Sequence, residues 1–289
     1  MPPKSKSKSK SKSKQPLPSS NPPSTKPTST TQQQQQQPPN WPPLKPLVPP
    51  SSLSLTPVLP SQIYTIDRLL TSTLCRTYVS FLSNPSSNVP LTTTPKSQKK
   101  DMAVRVNDRF QIHDPAFAER LWAGTGLREV VAGGVEGGEE GEEEEEEEAE
   151  GEVGDVWGGE VLGLNPNIRI YRYSPGQFFA PHYDESVLLD FSTPSSPSPV
   201  PARTTWTLLI YLTTCTGGET VFYPEPPPPK TASKGGKKAS REAPDPIAVD
   251  LEVGMGLLHR HGDECLLHEG REVKGGEKWV IRSDLVVRR

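Results

Sequence analysis

The stretch Phe178–Ser186, FFAPHYDES, follows YRYSPG and places His182 and Asp184 two residues apart. In a β-strand, residues i and i+2 point to the same face. An imidazole and a carboxylate are therefore set to aim at one point, which is either a metal ion or simply part of a polar loop. The chain's other histidines are His113, His259, His261 and His268. A His-x-Asp pair with one distant histidine is the ligand set of non-haem Fe(II) sites that keep three coordination positions open. His268 lies just ahead of the last strand-like segment and completes such a set. Lys278 follows it by ten residues.

The sequence on either side of this stretch reads as β. NIRIYRYS (167–174) alternates and is rich in Ile and Tyr, and TTWTLLIYLTT (204–214) sets Trp206, Leu208, Ile210 and Leu212 against Thr207, Leu209 and Tyr211. GETVFY, IAVDLEV, GMGLLHRH and KWVIRSDLVV are further short strands separated by Gly or Pro. Many short strands with turn signals between them point to a mainly β fold, a sandwich or jelly roll. Supporting helices precede it. STLCRTYVSFLS (72–83) carries Leu74, Tyr78, Phe81 and Leu82 at helical spacing, with Ser72 or Thr73 as cap. In DPAFAERLW (114–122), Asp114 takes the N-cap and Pro115 the first helical position, and Phe117, Leu121 and Trp122 face the core.

Much of the 289-residue chain is unsuited to a core. Hydrophobic residues make up 32% and there are 34 prolines, against about 45–50% apolar in ordinary domains. The net charge of −3 hides a segregation: residues 1–60 hold eight lysines and no acid, and residues 136–155 hold twelve glutamates and Asp155 with no base. Blocks of this kind are solvated tails or loops. The expected organisation is a disordered Lys/Ser-, Gln- and Pro-rich tail (1–57), a strand and helices of the folded domain (58–132), an acidic disordered insertion (133–159) and a β core (160–289) interrupted by a disordered loop at 224–246.

Cys75, Cys215 and Cys265 are odd in number and widely spaced, which argues against a disulfide framework and for a reducing compartment. The N-terminus lacks the apolar run of a signal peptide, and no apolar run is long enough for a membrane span. Cytoplasm or nucleus is the expected location, with no membrane partner. Lys4–Lys14 reads as a solubilising tail or a nuclear address, and nucleic acid is not the expected partner.

With these residues in place, the sequence resembles the Fe(II)/2-oxoglutarate-dependent dioxygenases of the prolyl 4-hydroxylase type. YSPGQFFAPHYD supplies Tyr173, nine residues before His182, and then Asp184. GGETVF supplies Gly217, Gly218, Thr220 and Phe222, and HEGREVKGGEKW supplies His268, Lys278 and Trp279. NDRFQIHDPAFAERLW, with Asn107 and Arg109, is similar to a region ahead of the barrel in some members. Four separated elements recur in order, over roughly residues 58–130 and 160–289.

The resemblance implies a double-stranded β-helix in which His182, Asp184 and His268 are the catalytic metal ligands. It further implies that Lys278, Tyr173 and Thr220 bind 2-oxoglutarate. The cofactors it implies are Fe(II), 2-oxoglutarate as cosubstrate, O2, and ascorbate as reductant. The implied reaction hydroxylates an unactivated C–H bond, on a prolyl or other residue of a peptide or protein, and releases succinate and CO2.

Alternatives stay open. The substrate could be a small molecule, or an inactive barrel could serve as an interaction module. His259, His261 and Cys265 could hold zinc, or the two histidines could line a substrate pocket. Asn107 and Arg109 could face the substrate. Arg282, on the same strand face as Lys278, could anchor the cosubstrate instead.

Overall fold

The β segments form antiparallel sheets whose two faces have different tasks. The computed structural model describes residues 37–94, 103–133, 156–193, 196–224 and 244–289. The major sheet has ten strands. Along it run Thr56–Leu59, Ile63–Ile66, Gly256–Arg260, Ser196–Tyr211, Lys278–Arg288, Asn167–Tyr173, Asp108–His113 and Thr92–Thr93, with Val161–Leu164 and Leu188–Thr193 pairing off this path. The minor sheet is Ile247–Val249, Thr220–Tyr223, Leu267–Gly270, Phe178–His182 and Arg105–Val106. A two-stranded ribbon, Cys215–Gly217 with Val273–Gly276, completes a jelly-roll core.

The period-2 alternation sorts the major sheet's side chains. Trp206, Leu208, Ile210, Trp279 and Ile281 point to a core shared with the helices, where Leu74, Tyr78, Phe117 and Leu121 are buried. The alternate residues Tyr171, Tyr173, Tyr211, Leu257 and Val280 point toward the minor sheet and pack on Phe222, Val249 and Val273. Backbone register aligns the polar members of this second face. Lys278 pairs with Tyr173, Arg282 with both Leu209 and Arg169, and Thr207 with His259. The functional groups therefore sit between two sheets, in a site whose walls are rigid strands.

The helices span Ser72–Ser83, Pro115–Gly124 and Leu127–Gly133. Asp114 caps the second helix as expected, its Oδ1 accepting from Phe117 N at 2.9 Å. The first helix is capped one residue earlier than expected, by Thr71, whose hydroxyl accepts from Leu74 N.

One boundary is corrected. The expected tail reached residue 57, but residues 37–57 are described and belong to the fold. Trp41 is buried, stacks on Phe117 at 4.3 Å between centroids, and donates its indole N–H to Asp114 at 2.8 Å. Leu55 is buried beside it in the same core, and Thr56–Leu59 is a strand. Residues 1–36, most of the acidic insertion and most of the 224–246 loop lie outside the described residues. Among the described residues, no helix is long and apolar enough to cross a membrane. Cys75, Cys215 and Cys265 are free.

Candidate metal centre and cosubstrate pocket

The minor sheet brings the two outer histidines together. His182 ends one strand, and its register partner on the neighbouring strand is His268. Their rings lie 4.2 Å apart between centroids. Asp184, two residues beyond His182, turns its carboxylate between them. His182 Nε2 lies 3.7 Å from Asp184 Oδ1, and His268 Nε2 lies 3.7 Å from Oδ2.

The imidazoles are oriented from behind. His182 Nδ1 is 2.9 Å from the carbonyl of Ala180, and His268 Nδ1 is 2.9 Å from that of Leu266, the same i−2 arrangement in both. A carbonyl only accepts, so each Nδ1 carries the proton and each Nε2 lone pair faces the carboxylate. Two nitrogens and a carboxylate oxygen lie mutually within 4.8 Å. These donors fit a non-haem Fe(II) ion, with one side of the metal left to other ligands.

Charge in the site favours metal binding. Burial pulls the His182 imidazole down to about 3, with His268 adding to the effect, and burial likewise lowers His268. Both imidazoles are therefore neutral at neutral pH and able to serve as donors. Burial alone would push the Asp184 carboxyl up, but Arg282 and then the histidines outweigh it and hold the group well below the usual carboxylate range. Arg282 donates from Nη1 to Oδ1 at 3.1 Å, and its Nη2 is ion-paired with Oδ2 at 3.0 Å. The Thr207 hydroxyl donates to Oδ2 at 3.0 Å. Arg282 is therefore committed to the Asp184 carboxylate rather than free to anchor a cosubstrate.

Lys278 lies deeper, between Tyr173 and Tyr211, with Nζ 5.6 and 5.3 Å from their ring centroids. It donates to Gly218 O at 2.7 Å and reaches Thr220 Oγ1 at 3.5 Å. Tyr211 OH and Thr220 Oγ1 are 2.7 Å apart. Lys278 is 5% exposed and, among the described residues, has no carboxylate within ion-pair distance. Burial lowers its ammonium to about 8. A buried cation without a counter-ion is costly, and an incoming carboxylate would relieve that cost.

The Gly217–Gly218 pair builds this end of the pocket. Both glycines have positive φ, and a Cβ on Gly217 would sit 2.5 Å from Glu272 O. Only glycine lets the chain turn here and present the Gly218 carbonyl to Lys278. One pocket is lined by His182, Asp184, His268, Tyr173, Thr220 and Lys278 together. A larger cavity of about 500 Å³ beside Trp122, Arg128 and Trp157 contains none of these groups.

The rival soft-metal reading loses support. His259, Cys265 and His268 do cluster. However, the proton on His268 Nδ1 faces the Leu266 carbonyl, so the nitrogen nearer Cys265 has no free lone pair. Burial also pushes the Cys265 thiol up to about 11. His259 and His261 part company. His259 lines the pocket, with Nε2 3.7 Å from Asp184 Oδ2. His261 is structural, its Nδ1 and Nε2 bonded to the hydroxyls of Thr207 and Thr204 at 3.0 and 2.9 Å. Asn107 and Arg109 do not line this pocket. Asn107 accepts from the Thr94 hydroxyl, and Arg109 donates to Gln111 at the surface.

Thr207, Tyr211 and the place of Arg282 are the components that sequence reading missed. The signal for the first two was present in TTWTLLIYLTT: on a strand with one fully apolar face, Thr207 and Tyr211 share the other face.

No protein-family model and no curated protein matches the chain. Among solved structures, a viral collagen prolyl hydroxylase from Paramecium Bursaria Chlorella virus-1, as its 2OG complex, is similar at 17% identity. That match covers 78% of this chain and 96% of that one, with a TM-score of 0.45. A Trichoplax adhaerens prolyl hydroxylase, in complex with a hypoxia inducible factor oxygen degradation domain peptide fragment, is similar at 12% identity, with 78% and 84% covered and a TM-score of 0.48. A non-heme alpha ketoglutarate dependent carbocyclase from nogalamycin biosynthesis is also similar at 12%, with 78% and 80% covered and a TM-score of 0.46. These solved structures are prolyl hydroxylases and another 2-oxoglutarate oxygenase, the family that the motifs of this chain resemble.

Proposed function

We propose that this chain is an Fe(II)- and 2-oxoglutarate-dependent dioxygenase that hydroxylates an unactivated C–H bond on a prolyl or other residue of a peptide or protein. One observation carries the reading: a two-histidine, one-carboxylate donor set shares its pocket with a buried, unpaired lysine ammonium. The first feature suits a metal with open positions, and the second suits the remote carboxylate of a dicarboxylic cosubstrate.

His182, Asp184 and His268 would hold the iron. Lys278 and Thr220 would hold the far carboxylate of 2-oxoglutarate, with Tyr173 walling the pocket beside them. Bound Fe(II) would supply O2 activation coupled to conversion of 2-oxoglutarate into succinate and CO2, with ascorbate as reductant. The chain contributes donor geometry, a counter-charge and walls that exclude water. Exposed Tyr183 lies within the His182–Asp184 motif and exposed Val187 and Leu188 come shortly after it; they support a substrate that covers apolar surface, hence a peptide rather than a small polar metabolite. The free cysteines support a reducing compartment.

The test is succinate release by the purified full-length chain supplied with Fe(II), 2-oxoglutarate and ascorbate, beside His182→Ala. Comparison of hydroxylated residues in proteomes with and without the protein then identifies the substrate. Turnover in the wild type that is lost in His182→Ala is the expected result. Equal turnover in both would refute the ligand set.

A further inference from the structure

The Asp184 carboxylate has four lone-pair sites, and Thr207 and Arg282 engage its two oxygens unequally. Oδ2 accepts from Thr207 Oγ1 at 3.0 Å and is also ion-paired with Arg282 Nη2 at 3.0 Å, so two groups engage it. Oδ1 accepts only from Arg282 Nη1, at 3.1 Å, and keeps one site free on the side of His182. The holding groups are themselves held. Arg282 is buried and also faces Asp284, 3.5 Å away, which is tied to Arg169 at 2.9 Å and to Asn165 at 3.1 Å. Thr207 is fixed by His261, whose other nitrogen meets Thr204.

We propose that Arg282, assisted by Thr207, is a positioning residue that restricts Asp184 to one-oxygen coordination and so keeps a metal position open for the cosubstrate. This rests on the oxygenase reading for the identity of the ligands. A carboxylate that used both oxygens would occupy one of the three open positions, whereas a chelating 2-oxo acid and O2 need all three. The guanidinium also offsets the carboxylate's charge, so a divalent cation keeps its full attraction for an anionic cosubstrate.

The experiment uses the full-length chain with Co(II) as probe metal and 2-oxoglutarate as probe ligand, in the wild type, Arg282→Met, Arg282→Lys and Thr207→Val. Co(II) affinity is measured by chelator competition, the metal's coordination by its visible absorption, and 2-oxoglutarate affinity by calorimetry on the Co(II)-loaded protein. In Arg282→Met we expect Co(II) binding at least as tight as in wild type, a changed absorption band and 2-oxoglutarate binding at least tenfold weaker. Thr207→Val should move in the same direction by less, and Arg282→Lys should recover part of the loss.

Unchanged spectra and unchanged 2-oxoglutarate affinity in both Arg282→Met and Thr207→Val would overturn the proposal. So would a parallel loss of Co(II) and 2-oxoglutarate affinity together with a lowered Tm in both, the pattern of a merely structural role. A wild type that binds Co(II) but not 2-oxoglutarate would overturn the oxygenase reading, and the variants' Co(II) spectra would still decide whether Arg282 sets the carboxylate.

Discussion

With its ammonium enclosed by Tyr173, Tyr211 and Thr220, Lys278 has exchanged hydration for one carbonyl and one hydroxyl, and burial leaves it titrating at about 8. Pairing with a carboxylate requires the protonated form. The free protein holds that proton below about pH 8 and loses it above. Affinity for 2-oxoglutarate should therefore be flat up to about pH 8 and then fall about tenfold per pH unit, with one proton taken up on binding. Calorimetry in buffers of different ionisation enthalpy reads this directly, and a flat profile to high pH with no proton uptake would contradict it. Lys278→Ala should weaken 2-oxoglutarate binding by about tenfold to a few hundredfold, from a charge-assisted bond worth about 1.5–3 kcal/mol. Metal affinity should barely change. Arg282→Ala should disturb the site by another route, because Arg282 grips Asp184 directly.

Among the elements, the segment from Gln37 to Leu55 departs most from what composition suggests. Its prolines resemble those of the residues before it, and one indole makes the difference. Trp41 fills a site on Phe117 and bonds Asp114, the residue that caps the helix Pro115–Gly124. Trp41→Ala should cost about 3–5 kcal/mol, read from the midpoint of denaturant unfolding. Trp41→Phe should retain most of the packing but lose the indole–carboxylate bond. A change below about 1 kcal/mol for Trp41→Ala would mean that the segment is not part of the cooperative unit.

The strands were legible because Trp206, Leu208 and Ile210 alternate with Thr207 and Leu209, and the helix Pro115–Gly124 because Asp-Pro opens it. That His182, Asp184, His268 and Lys278 line one pocket was legible from the His-x-Asp spacing together with the motifs of the resemblance. The partners of Thr207 and Tyr211 and the Arg282–Asp184 pair were not. They meet through register between strands dozens of residues apart, and one sequence does not encode that register locally.

At the scale of the whole molecule, His259, His261 and His268 are buried and His182 is partly buried, and burial lowers the pKa of each of the four. In the unfolded chain they titrate near about 6.5. Below that pH the unfolded chain takes up protons that the folded, metal-free protein refuses, so stability is lost as pH falls. Each such histidine contributes about 1.4 kcal/mol per pH unit until its folded pKa is reached. Asp184 acts in the same sense at still lower pH, since its carboxyl is held down in the folded state. The Tm of metal-free protein should therefore drop steeply between pH 7 and pH 5. A Tm that stays level across that range would show that these histidines accept protons without unfolding.

The register that sets His182 directly opposite His268 would give a bound metal a second role. An ion held by both side chains ties two neighbouring strands at one rung, as a rivet ties two plates. Opening either strand then requires releasing the ion first. Amide hydrogens along Phe178–His182 and Leu267–Gly270 should exchange with deuterium more slowly when Co(II) or Fe(II) is added, while those of the helix Ser72–Ser83 keep their rates. If so, the site built for chemistry also sets how often this end of the barrel breathes.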